Sequence, residues 1–225
     1  MQSLLIKATF ETIYMVFFSS LLSTIIGGIL GVILVTTDKN GINSNKVIYS
    51  ILNFIVNIFR SVPFLILIIY ILPVSKILTG KMIGSTAAII PLTVSAIPFV
   101  ARIFENSLKE VDNGIIEASI SMGSSNFQII KIMLSECLPA LINGITLTVI
   151  NLIGYSAMAG AIGAKGLGDL AITYGYHRFQ YLTMTIPVVI IILLVQIVQV
   201  LGDFISKKIN KKTNTKGGRL WKKDF

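Results

Sequence analysis

One cysteine and one histidine stand in 225 residues. A single thiol leaves no partner for a disulfide within the chain, and one imidazole excludes a site built on several histidines. Charge is scarce: Asp, Glu, Lys and Arg make up 13% of the chain, against about 25% in soluble domains. Only ten residues are acidic. A G-x-x-x-x-G-K-[ST] phosphate loop is missing too, since the one Gly-Lys step, Gly80-Lys81, runs on into Met82. These shortages exclude a disordered chain, a nucleic-acid-binding module and almost any soluble enzyme.

What the chain has is apolar length. Hydrophobic residues make up 54% and the mean hydropathy is +0.83. Crossing ~30 Å of hydrocarbon takes about 20 apolar helical residues. Five stretches qualify, at roughly 12–35, 61–77, 84–103, 138–162 and 182–205. The expected fold is therefore an all-α integral membrane protein of about five transmembrane helices. Segment 47–59 is also apolar, but Arg60 follows it, and an Arg at a helix centre costs about 2.5–3.5 kcal/mol on insertion scales. The reading adopted puts Arg60 at the membrane boundary, makes 47–59 an interfacial or tilted lead-in, and has Pro63 open the second span. The N-terminal run is too long for the core of a cleavable signal and is expected to remain as a helix. Its Gly27-x-x-x-Gly31 spacing permits close packing on a neighbour.

The net charge of +9 reads as a topology signal. With the C-terminus inside, the inner side holds Lys39, Lys46, Arg60, Arg102, Lys109, Lys131 and the eight cations of the tail, whereas only Lys7, Lys76, Lys81, Lys165 and Arg178 lie outside. Five spans then put the N-terminus outside. The expected organisation is an external N-terminus over 1–11, a transmembrane domain over 12–205 with a cytoplasmic loop at 104–137, and a basic tail over 206–225 able to touch anionic lipid.

None of the ten carboxylates falls within the middle of a span in this assignment, so transport coupled to a buried carboxylate is poorly supported. Gly163-Ala-Lys-Gly166-Leu-Gly168 follows a membrane helix rather than a strand and reads as a turn, not a phosphate loop. His177 and Cys137 lack the partners of a triad or a metal site and read as structural. No cofactor and no metal are expected, and any energy for work has to come from another subunit.

Polar residues are organised in the loop 104–137. Residues 112–123 read as a short helix, capped by Asp112 or Asn113 and ended by Gly123. Ser125 and Gln128 match a capping box that opens a second helix. Two short helices joined at a glycine make either a rigid knob for a partner or a surface-lying amphipathic hairpin.

Glu117-Ala118-Ser119, with Gly123 after three residues, resembles the E-A-A-x-x-x-G core of the coupling loop in binding-protein-dependent ABC importer permeases. Arg60-Ser61-Val62-Pro63 is similar to that family's R-x-x-P element. The family's later proline has no counterpart at 136, where this chain carries Glu136; the nearest is Pro139. The stretch from Gly154 to Gly168, with Tyr174-Gly175-Tyr176, looks like the methionine-importer branch, and the resemblance covers roughly residues 8–205. It implies the ABC type I permease fold, a homodimer in the plasma membrane, two cytoplasmic ATPase subunits and an external substrate-binding lipoprotein. It also implies that Glu117, Ala118, Ser119 and Gly123 form or support the ATPase docking surface. Tyr155, Ser156 and Met158 are the candidates for lining the path at the subunit interface, with helix packing as the other reading of all three. The outer loop, 164–181, is the expected surface for the binding protein. The implied function is methionine import by ATP-driven alternating access; the alternatives are the same machinery for another amino acid or small organic acid, or a channel or secondary transporter working alone.

Overall fold

The structure, a computed structural model, describes residues 2–221, with side chains up to Asn210. Of the tail cations, Lys211, Lys212, Lys216, Arg219, Lys222 and Lys223 have side chains outside the described residues.

Every regular element among the described residues is helical. Its elements are α1 (Gln2–Thr37), α2 (Lys46–Ser61), α3 (Phe64–Thr79), α4 (Ser85–Lys109), α5 (Asn113–Ser121), α6 (Asn126–Glu136), α7 (Leu138–Gly160), α8 (Leu167–Ile172) and α9 (Tyr181–Trp221), with a π-helical turn at Thr173–His177 between the last two. Four helices, α1, α4, α7 and the Tyr181–Asn210 part of α9, are long and apolar enough to cross a membrane. The fifth candidate span is a broken one: α2 and α3 meet at 109°. Proline explains the break. Val62, the residue before it, is extended (φ −82°, ψ 124°), and Pro63 brings no N–H to carry the helix on. Asn45 caps the other end of α2, its side-chain oxygen accepting from the N–H groups of Val47 and Ile48 at 3.1 and 3.2 Å.

Small residues set the packing. Ser19, Ser23, Gly27 and Gly31 recur every four residues along the buried side of α1. A methyl on Gly27 would lie 2.7 Å from the Ile97 carbonyl, and one on Gly31 would lie 2.4 Å from Phe104 Cβ. The Gly27/Gly31 spacing therefore does serve close packing, of α1 on α4. Gly202 brings α9 onto Thr146 of α7 in the same way. Met15, Ile68, Leu92 and Leu152, from α1, α3, α4 and α7, meet in the main core. Outward lies a large apolar surface, including Phe10, Phe17, Ile29, Tyr70 and Leu182, as hydrocarbon or a second protein would require.

Two boundaries differ from expectation. Helix α1 begins at Gln2, so residues 2–11 extend the first helix. Helix α4 runs to Lys109, so Glu105 belongs to its last turns rather than to a loop. Glu105 is 2% exposed, and burial of a carboxylate demands partners. Arg102 and Lys109 supply them: Arg102 Nη1 is paired with one carboxylate oxygen and Lys109 Nζ lies 2.9 Å from the other. Tyr49 of α2 also donates to Glu105, at 3.2 Å. Lys109 further pairs with Asp38 at 2.7 Å, and this bond holds the Asp38 carboxyl below its usual range.

Candidate functional site

The loop between α4 and α7 folds as a helical hairpin built largely from local chemistry. Asp112 caps α5, accepting from the Gly114 N–H at 2.7 Å. At the other end Gly123 takes φ 74°, and the N–H groups of Gly123 and Ser124 bond the carbonyls of Ile120 and Ser119 at 2.9 and 3.1 Å. That double closure is a Schellman motif, and it requires the left-handed residue that glycine supplies. Ser125 then opens α6 in a capping box, its N–H donating to Gln128 Oε1 at 2.7 Å. Val111, Ile129, Met133 and Cys137 pack against Val35, Leu108 and Leu141, anchoring the hairpin to the ends of α1, α4 and α7. Burial pushes the Cys137 thiol up to about 11, so it is an inert core group.

The four residues of the Glu-Ala-Ser…Gly pattern do not share one surface. Glu117, Ala118 and Gly123 are exposed. Ser119 is 3% exposed and donates to the Ile115 carbonyl at 2.7 Å. Ala118 is thus the small residue of the outer face, while Ser119 is turned inward. Beside the exposed three stand Met122 and Phe127, each 76% exposed. Sequence reasoning passed over both; the available signal was a large apolar residue on either side of a cap. Behind the hairpin, Asp38, Gly41, Leu108, Lys109, Ile116 and Glu117 border an open cleft of ≈ 570 Å³.

The three candidates on α7 also divide. Tyr155 is half-buried and stacked on Phe64, with ring centroids 4.5 Å apart at 9°. Ser156 is 2% exposed and donates to the Ile153 carbonyl at 2.7 Å, so it faces the packed side of α7. Met158 is 47% exposed and shares an open face with Asn143, Leu147, Asn151 and Gly154. Both asparagines were overlooked, although two amides within a long apolar run are the signal.

At the opposite end of the bundle from the hairpin, residues 163–166 form the turn that the glycines suggested, and Leu167 and Gly168 open α8. Gly163, Lys165 and Gly166 all have positive φ. Its amides are already engaged: Glu11 accepts from the Gly166 N–H at 3.2 Å and Thr12 from the Leu167 N–H at 2.9 Å. Further along, Tyr176, Phe179 and Tyr181 are exposed, and His177 meets Tyr176 edge-on.

Residues 23–214 match the family model of the binding-protein-dependent transport system inner membrane component. The chain is 48% identical over 210 residues, 93% of each sequence, to the probable D-methionine transport system permease protein MetI of Vibrio cholerae serotype O1. It is 46% identical over 207 residues, 92% of this chain and 93% of the other, to the methionine import system permease protein MetP of Bacillus subtilis. Its fold superposes with a TM-score of 0.91 and 43% identity on a chain of the inward-facing MetNI methionine ABC transporter, covering 93% of this chain and 97% of that one.

Proposed function

The chain belongs to the family of binding-protein-dependent transport system inner membrane components, and from that premise we propose that it is the membrane-spanning subunit of an ATP-driven methionine importer. The observation that carries the substrate is similarity along nearly the whole chain, 46–48% identity to methionine permeases and 43% to the MetNI subunit. In this reading two copies enclose the path. Two ATPase subunits dock beneath the α5–α6 hairpin and supply the hydrolysis, and a binding protein delivers solute at the α8 end. The cation distribution supports a hairpin in the cytoplasm and an N-terminus outside.

The hairpin suits the transmission of movement. Its caps and its packing on Val35, Leu108 and Leu141 make it rigid, so a displacement imposed on it moves the ends of α1, α4 and α7 together. Glu117, Ala118 and Gly123 offer the docking surface; Met122 and Phe127 extend it as apolar anchors, and Ser119 supports it from behind. On α7, Met158 is the path-lining candidate that the geometry favours, Tyr155 flanks it, and Ser156 serves packing.

The test is reconstitution with the ATPase partner and a methionine-binding protein in proteoliposomes. ATP-dependent methionine uptake is expected, with Glu117→Lys abolishing it while membrane insertion persists. Uptake without nucleotide hydrolysis overturns the reading, as does stimulation only by a binding protein loaded with another solute.

A further inference from the structure

Helix α2 carries a polar stripe along its α4 side. Tyr49, Asn53, Asn57 and Arg60 fall at spacings of four, four and three, hence on one face, while Val47, Ile51, Phe54 and Ile58 are exposed opposite. The polar face turns toward α4: Tyr49 reaches Glu105, and Arg102 donates to the Asn53 and Asn57 side-chain oxygens, the latter at 2.8 Å. Arg60 continues this stripe by one turn, yet it is exposed and has no ion-pair or hydrogen-bond partner among the described residues. Glu105, the α4 carboxylate that Tyr49 of the stripe reaches, is taken by Arg102 and Lys109.

Its neighbours bracket its depth. Asn57, one turn before it, holds Arg102, which lies seven residues, or about 10 Å, from the Lys109 end of α4. Phe64, at most about 14 Å of chain beyond it, stacks on Tyr155, which lies about 25 Å from the Leu138 end of α7. Arg60 therefore lies at the α2–α3 elbow, between the levels of Arg102 and Tyr155 along the bundle. The break in this span thus carries an unpaired guanidinium, a charge that is costly wherever it meets lipid. One turn below Tyr155, Asn151 is exposed too, and its amide has no partner among the described residues.

We propose that Arg60, held at the elbow of the broken α2–α3 span, binds the carboxylate of the passing solute, with the Asn151 amide as a second polar contact on α7. Broken helices within a bundle create polar sites of this kind, and a guanidinium matches a carboxylate by two parallel hydrogen bonds. The ligand class is a zwitterionic amino acid. This assignment rests on the importer reading above.

The complete transporter in proteoliposomes tests it. Arg60→Gln is expected to lower methionine uptake about ten-fold or more, the size of losing a hydrogen bond to a charged group. Stimulation of ATP hydrolysis by the binding protein is expected to stay within about two-fold, so less methionine moves per ATP. Co-purification of the ATPase guards against misassembly. Asn151→Leu tests the site from α7, with the same fall expected, and Arg60→Lys should retain intermediate uptake. Arg60→Cys in a Cys137→Ser background should react with a charged, membrane-impermeant thiol reagent. Unchanged methionine per ATP in Arg60→Gln, or no labelling of Arg60→Cys because the position faces lipid, overturns the proposal. If the unaltered transporter moves no methionine, the importer reading fails instead, and labelling at position 60 still reports whether the elbow is wet.

Discussion

Glu105 illustrates how a residue can be costly and necessary together. Its carboxylate is buried among Arg102, Lys109 and Tyr49, and the favourable side of such a cluster is the avoidance of an uncompensated charge. Removing the carboxylate charge leaves Arg102 half-buried without its ion partner. Glu105→Gln is therefore expected to destabilise the protein by about 3 kcal/mol, read as a melting temperature in detergent lower by roughly 10 °C. Only part of the cluster is local: Arg102 and Lys109 stand three and four residues from Glu105, whereas Tyr49 joins from α2, 56 positions away. Cys137 makes a simpler case. With its thiol pushed up to about 11, fewer than about one molecule in a thousand is thiolate at pH 7.5. Iodoacetamide should leave the folded protein almost unmodified and react fully after denaturation, as mass spectrometry would report.

At the scale of elements, packing between helices depends on positions without side chains. Gly31→Val would place carbon where Phe104 Cβ and the Ala101 carbonyl already lie within 2.4 and 2.7 Å. Backbone cannot yield as a flexible side chain does, so α1 must move off α4. A loss at or above the usual 1–3 kcal/mol of overpacking is expected, visible as a lower melting temperature and faster proteolysis between α1 and α2. Gly154→Ala, where nothing lies within 4 Å, should leave the melting temperature unchanged and serves as the control. The hairpin was the most legible element. Its Asp112 cap, Gly123 stop and Ser125–Gln128 box are all satisfied within a few residues, so local sequence suffices to specify them. Its faces were not: Ala118 and Ser119 are neighbours of similar size, and only docking on the bundle turns one outward and buries the other.

For the whole molecule, the apolar exterior and the cation asymmetry belong to one argument. The Tyr181–Asn210 part of α9 offers most of its side chains to the surroundings, and surfaces of that kind persist only in lipid or against another subunit. The uneven cations then orient the bundle. Alkaline phosphatase joined after Phe225 is expected to be inactive in cells, and a protease-sensitive tag before Met1 is expected to be cut from outside. The opposite pattern would place the α5–α6 hairpin on the wrong side for an ATPase. The membrane class, the broad positions of the spans and the hairpin with its caps followed from sequence alone, because apolar length, charge placement and capping act over twenty residues or fewer. The 109° angle of the elbow at Pro63, the meeting of the α2 polar stripe with α4, the reach of Tyr49 to Glu105 and the division of Tyr155, Ser156 and Met158 between packed and open sides waited for the tertiary structure. Those depend on which helices meet, and no run of neighbouring residues contains that information.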